Sequence, residues 1–181
     1  MRKIGIFLAA LLSVGLLSPT AIAATPKIGP SETMFAQEMI PHHQQAVTMA
    51  KLAIKYSNNK SVLAIAKKIQ AEQSPEIAQM QSWLVRAGLT AGTKSGMHGM
   101  NMGNSRMLTT KQLSALGASR GKNFDRLFLQ GMIGHHQGAI QMTALIADSP
   151  VAEAKILYRN IVRVQSAEIA KMKSLLTQIG R

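Results

Sequence analysis

The segment from Phe35 to Met49 is repeated from Phe128 to Met142 at an offset of 93 residues. Ten positions match or nearly match, and they include every methionine and histidine: Met39, His42, His43 and Met49 reappear as Met132, His135, His136 and Met142. A second pair follows at an offset of 92, where Gln73, Glu76, Ile77, Met80 and Leu84 reappear as Gln165, Glu168, Ile169, Met172 and Leu176. Within each copy apolar residues recur at helical spacing, as at Ile65, Ile69, Ile77, Met80 and Leu84, and strand-like alternation is absent. Each copy therefore reads as a helical hairpin with one stripe to bury. Two such hairpins pack most simply as an all-α four-helix bundle with approximate two-fold symmetry. The spacing predicts helices near 32–57, 60–87, 122–147 and 150–179, with Ser149 and Pro150 as the cap and first-turn pair of the last.

The 181 residues suffice for one well-buried domain. Residues 1–23 read as a secretory signal peptide: Arg2 and Lys3, an apolar run from Ile4 to Leu17, then Ala21 and Ala23 as small residues before the cut. That run falls short of the roughly 20 residues a membrane-spanning helix needs. A periplasmic or secreted protein is expected, cleaved near Ala23, with residues 24–181 as a single helical-bundle domain. Its parts are a hairpin over 32–87, a Met-rich loop over 88–109 and a hairpin over 110–179, the last preceded by a short helix from Thr109 or Thr110 to Leu116.

Cleavage leaves 19 lysines and arginines against 8 acids, a net charge of +11. For an exported chain the anions within reach are envelope surfaces and acidic proteins, so nucleic acid is not expected as a partner and a weak contact with anionic envelope surfaces is. The absence of cysteine rules out disulfides and thiolate metal sites. So few carboxylates in so basic a chain make a calcium or magnesium cage a poor fit. Methionine is what the chain has in quantity, 12 residues in all.

On a helix, Met39, His42, Ala46 and Met49 share a stripe, as do Met132, His135, Ala139 and Met142. His43 and His136 point about 100° away from their neighbours, so the two histidines of a pair do not easily share one ion without local distortion. Pro41 and Gly134, one residue before each pair, could supply that distortion. A methionine stripe also simply packs a core, but buried imidazoles need partners for both nitrogens. Gln73, Glu76, Gln165 and Glu168 are the candidate partners.

The loop adds Met97, His98, Met100, Met102 and Met107, interrupted by Gly96, Gly99 and Gly103, which keep it from being a core helix. Thioether and imidazole are ligands suited to Cu(I) and, by the same softness, to Ag(I). His-Glu-x-x-His, Cys-x-x-Cys-His and Glu-x-x-His are all absent, which argues against zinc hydrolysis, covalent haem and a carboxylate-bridged di-iron centre.

The stretch from Gly121 to Met142 resembles the signature of a bacterial family known as domain of unknown function 305. That resemblance covers essentially the whole processed chain. It implies a ferritin-like bundle without di-iron ligands, and copper binding and tolerance in some members. The matching positions are Met132, His135, His136 and Met142, with Met39, His42, His43 and Met49 as their earlier copies. Pro41 and Gly134 differ between the copies, so the two sites need not be equal. The loop methionines lie outside the signature and rest on ligand chemistry alone.

The expected function is a non-enzymatic periplasmic copper-binding protein, holding Cu(I), Cu(II) or Ag(I), that serves copper buffering, transfer or resistance. A copper exporter or another periplasmic copper protein is the expected partner. The alternative is a basic cell-envelope interaction module with no metal role, in which the charge is the working feature.

Overall fold

A computed structural model describes residues 27–89 and 105–180. The signal-peptide reading of residues 1–23, and Met97, His98, Met100 and Met102, lie outside the described residues. Among those described, the regular elements are helices: α1 (Pro30–Tyr56), α2 (Lys60–Arg86), α3 (Thr110–Ala118), α4 (Gly121–Met142) running into a 3₁₀ turn (Thr143–Ile146), and α5 (Ala152–Ile179). α1 packs most extensively on α2 and α4 on α5, the two hairpins of the repeat, and the hairpins meet chiefly through α1 and α4. The result is the all-α, ferritin-like four-helix bundle expected, with α3 as a spacer on its flank. No helix among the described residues is long and apolar enough to cross a membrane.

Local chemistry sets the helix ends. Asn59 caps α2 by accepting from the Ser61 and Val62 amides, and α2 closes with Gly88 at φ 75°, where Leu89 N–H donates back to Leu84. Thr109 and Gln112 form a reciprocal capping box on α3. At the other connection the structure corrects the expectation. α5 starts at Ala152 with Val151 as its cap residue, and the Ser149 hydroxyl instead accepts from the Val151 amide while donating to the buried Glu32 carboxylate. The expected helix over 122–147 stays α-helical only to Met142. α1 runs unbroken through Pro41, which lies on its exposed side, and α4 is likewise continuous through Gly134.

The apolar interior falls into two clusters rather than one. The first gathers Phe35, Met39, Met80, Trp83, Met142 and Ile161 with their neighbours. The second gathers Met49, Ile69, Phe124, Phe128, Met132 and Met172 with theirs. Both contain residues from α1, α2, α4 and α5. Between them the buried stripe of every helix turns polar, at His42 and His43 on α1, Gln73 on α2, His135 and His136 on α4, and Gln165 and Glu168 on α5.

Candidate metal centre

The four histidines of the two pairs have zero exposure and lie side by side across the bundle. The rings of His42 and His135 approach to 3.7 Å between centroids, while His42 to His43 is 6.3 Å and His135 to His136 is 6.5 Å. Each helix presents its two adjacent imidazoles in different directions, as the rotation per residue requires. On α1, His42 turns toward His135 and the Ser105 carbonyl while His43 reaches Glu76 of α2; on α4, His135 turns toward His42 while His136 reaches Glu168 of α5.

Three rings have a nitrogen committed to an oxygen. His43 Nε2 donates to Glu76 Oε2 at 2.9 Å, His136 Nε2 donates to Glu168 Oε2 at 2.8 Å, and His42 Nε2 donates to the Ser105 carbonyl at 2.8 Å. Carbonyl and carboxylate oxygens can only accept, so the proton sits on Nε2, and a neutral ring then keeps a bare lone pair on Nδ1. The Nδ1 atoms of His42, His43 and His136 are buried without a hydrogen-bond partner. His135 has no completed bond at either nitrogen, although the His42 backbone lies close. Metal-binding histidines are commonly held this way, one ring nitrogen donating to an oxygen and the other free to ligate.

Burial keeps protons from the free nitrogens of His42, His135 and His136. Burial lowers the His42 pKa to about 4 against the opposing pull of the Ser105 carbonyl, with the neighbouring imidazoles adding to the depression. Burial likewise holds His135 well below its ordinary value, and it lowers His136 despite the Glu168 carboxylate. Burial alone would raise Glu168, but its bonds to His136 and Lys68 hold it below the usual carboxylate value. Lys68 bridges Glu168 at 3.1 Å and Glu72 at 2.7 Å, an exposed cation at the edge of the layer.

Of the partners proposed from sequence, Glu76 and Glu168 do engage histidines, but Gln73 and Gln165 do not. Both amides are buried and neither their oxygens nor their nitrogens find a hydrogen-bond partner. Met39, Met49 and Met132 are fully buried and Met142 nearly so. Met39 and Met142 belong to the apolar cluster on one side of the histidines, and Met49 and Met132 to the cluster on the other. Met107 is not brought into the layer. It is 37% exposed and lines an outer groove of about 450 Å³ beside α3 and α4.

Sequence reasoning missed the strap over this layer. Residues 105–108 cross the face of α1 and α4, bound by His42 to Ser105 and by Gln45, which donates to the Leu108 carbonyl at 2.9 Å and accepts from its amide at 2.7 Å. Arg106 takes a φ of 52° in this crossing. A Cβ on Gly138 would stand 1.9 Å from the Ser105 carbonyl oxygen, so only glycine lets the strap lie this close to α4. The signal was present in the repeat: Gln45 of the first copy stands where the second has Gly138. The two copies differ there because one binds the strap and the other makes room for it.

Among the described residues no three His, Asp or Glu side chains converge so as to hold a metal ion. The donors do fit a soft ion, whose preferred thioether ligands stand one helical turn before each histidine pair, at Met39 and Met132. A hard ion demanding several oxygens finds no such set here.

Solved structures share this architecture. A DUF305 fragment from Deinococcus radiodurans superposes with a TM-score of 0.75 at 31% identity, covering 84% of this chain and 99% of that one. A DUF305 protein from Streptomyces coelicolor gives 0.76 at 31% identity, covering 83% and 94%. CopM in its Cu(I)-bound form gives 0.68 at 29% identity, covering 81% and 96%, and its Cu(II)-bound and Ag-bound forms are similar in the same way. No curated protein sequence matches. Residues 32–176 match the domain of unknown function DUF305, and this chain belongs to that family.

Proposed function

We propose that this is an exported, non-catalytic copper-binding protein that takes Cu(I) as cargo for buffering, transfer or resistance, with Ag(I) and Cu(II) as alternative guests. One observation carries the reading: four buried imidazoles in one layer, three anchored through Nε2, leave unprotonated Nδ1 lone pairs with no donor to satisfy them. An unsatisfied buried polar atom costs about 1–3 kcal/mol. A cation that accepts lone pairs relieves that cost, and the depressed pKa values of His42, His135 and His136 disfavour a proton in that role. The residues that would hold it are His42, His43, His135 and His136 with Met39, Met49, Met132 and Met142. The similarity to CopM, a protein solved with copper and silver bound, supports the same cargo.

Anaerobic titration of the processed chain with Cu(I) against a competing chelator tests this. Affinity well below micromolar Kd is expected, falling at least tenfold when His135 and His136 are both replaced by leucine. Millimolar binding would exclude copper as the cargo, and tight binding indifferent to those substitutions would place the ion outside the histidine layer.

A further inference from the structure

The fold divides the chain's charge in a way the linear sequence hides. The Ser57–Asn59 turn meets the start of α4, since Ser57 donates to Asp125 at 2.6 Å and the Arg120 guanidinium lies 3.6 Å from the Tyr56 ring centroid. Met172, Leu175 and Ile179 bring the end of α5 to the same apolar cluster, which Leu113 and Leu116 of α3 join. This end of the bundle, residues 50–67, 109–127 and 170–180, carries ten lysines and arginines and one acid, Asp125. All ten cations are exposed, while Asp125 is buried against Ser57. The opposite end, residues 27–40, 78–89 and 140–160, carries four of each sign. Among the described residues, the net positive charge therefore sits at one end of an elongated bundle.

We infer that this cationic end is a docking face for an anionic lipid surface, independently of any metal. Eight of the ten cations are lysines, which act as mobile point charges rather than as planar forks for fixed bidentate contacts. They come from five separate helix ends and do not converge on a cleft. The groove on this flank has Arg106 as its sole charged wall residue. A broad array of flexible point charges suits a flat surface of repeating negative charge better than one shaped partner. Docked this way, the long axis stands along the surface normal. His42, 14 residues before Tyr56 on α1, is then held about 21 Å from the contact, at about 1.5 Å per residue.

The test is sedimentation of the processed chain, residues 24–181, with vesicles of phosphatidylcholine alone and vesicles containing one part phosphatidylglycerol to three of phosphatidylcholine. Binding is expected to the anionic vesicles only, and to collapse between roughly 50 and 500 mM salt as the screening length shortens. A quadruple variant, K51Q, K55Q, K60Q and K122Q, removes four exposed charges from this end. A cation near the surface contributes about fivefold to affinity, so the quadruple variant should bind at least tenfold more weakly. The matching control, K27Q, R86Q, K155Q and R159Q, removes four from the other end and should lose less than threefold. Unchanged helical circular dichroism confirms that both variants are folded. Equal losses would show that net charge alone matters and overturn the docking face. So would absence of binding to anionic vesicles, or salt-sensitive retention on an acidic polypeptide such as polyglutamate stronger than on the vesicles.

Discussion

Two glycines four residues apart on α4 should respond to alanine with opposite signs. At Gly134 a Cβ meets nothing within 4 Å, so Gly134→Ala should show only the helix preference of alanine, a gain of about 0.5–1 kcal/mol. At Gly138 the same methyl lands 1.9 Å from the Ser105 carbonyl oxygen and 2.5 Å from its carbon, and a backbone cannot yield as a side-chain tip does. The strap must lift. That breaks the His42 bond to Ser105, leaving a buried N–H unpaired at about 1–3 kcal/mol, and loosens the two Gln45 bonds to Leu108 at about 1 kcal/mol together after water replaces them. Set against the same helix gain, Gly138→Ala should lose about 2 kcal/mol net, which puts the two variants about 3 kcal/mol apart. Urea unfolding followed by helical circular dichroism measures both on the metal-free protein. A Gly138→Ala variant as stable as wild type would refute the strap's contribution.

Acidification should weaken the metal-free fold in a defined window. The folded His42 pKa of about 4 lies below the ordinary 6.5, so the unfolded chain takes up a proton first as pH falls, and stability is lost from about pH 6.5 downward, levelling off near pH 4. His42 alone contributes about 3 kcal/mol of that loss, with His135 and His136 adding in the same direction; a urea midpoint flat between pH 7 and 4.5 would contradict it. Replacing Met97, Met100, Met102 and Met107 with leucine should lower the number of Cu(I) ions bound while leaving helical content intact. Unchanged stoichiometry would exclude the loop as a site.

The repeat made the bundle legible because a duplicated hairpin leaves few ways to bury two identical stripes, and α1, α2, α4 and α5 fall within a few residues of the predicted spans. The Met and His stripes were legible for the same reason, since i, i+3 and i+7 spacing decides what shares a face. Partner choice was only half legible. Glu76 and Glu168 reach His43 and His136, whereas Gln73 and Gln165 occupy the same layer with nothing to bond. Sequence spacing gives a face but not a distance across the bundle, so the 3.7 Å approach of the His42 and His135 rings could not be foreseen. The strap was hidden because it depends on a contact between Ser105 and positions 63 and 33 residues away, His42 and Gly138. Its trace, Gln45 against Gly138, looked like ordinary divergence between copies. The charge asymmetry likewise emerges only after folding brings distant segments to one end.

X-ray absorption at the copper edge, on Cu(I)-loaded protein with Met97, Met100, Met102 and Met107 all replaced by leucine, reports the ligands of the helical site itself. Retained Cu(I) is expected with both imidazole nitrogen and thioether sulfur in its shell, the sulfur signal falling when Met39 and Met132 are also replaced. A shell of nitrogen and oxygen alone, or failure of this protein to retain Cu(I), would contradict it.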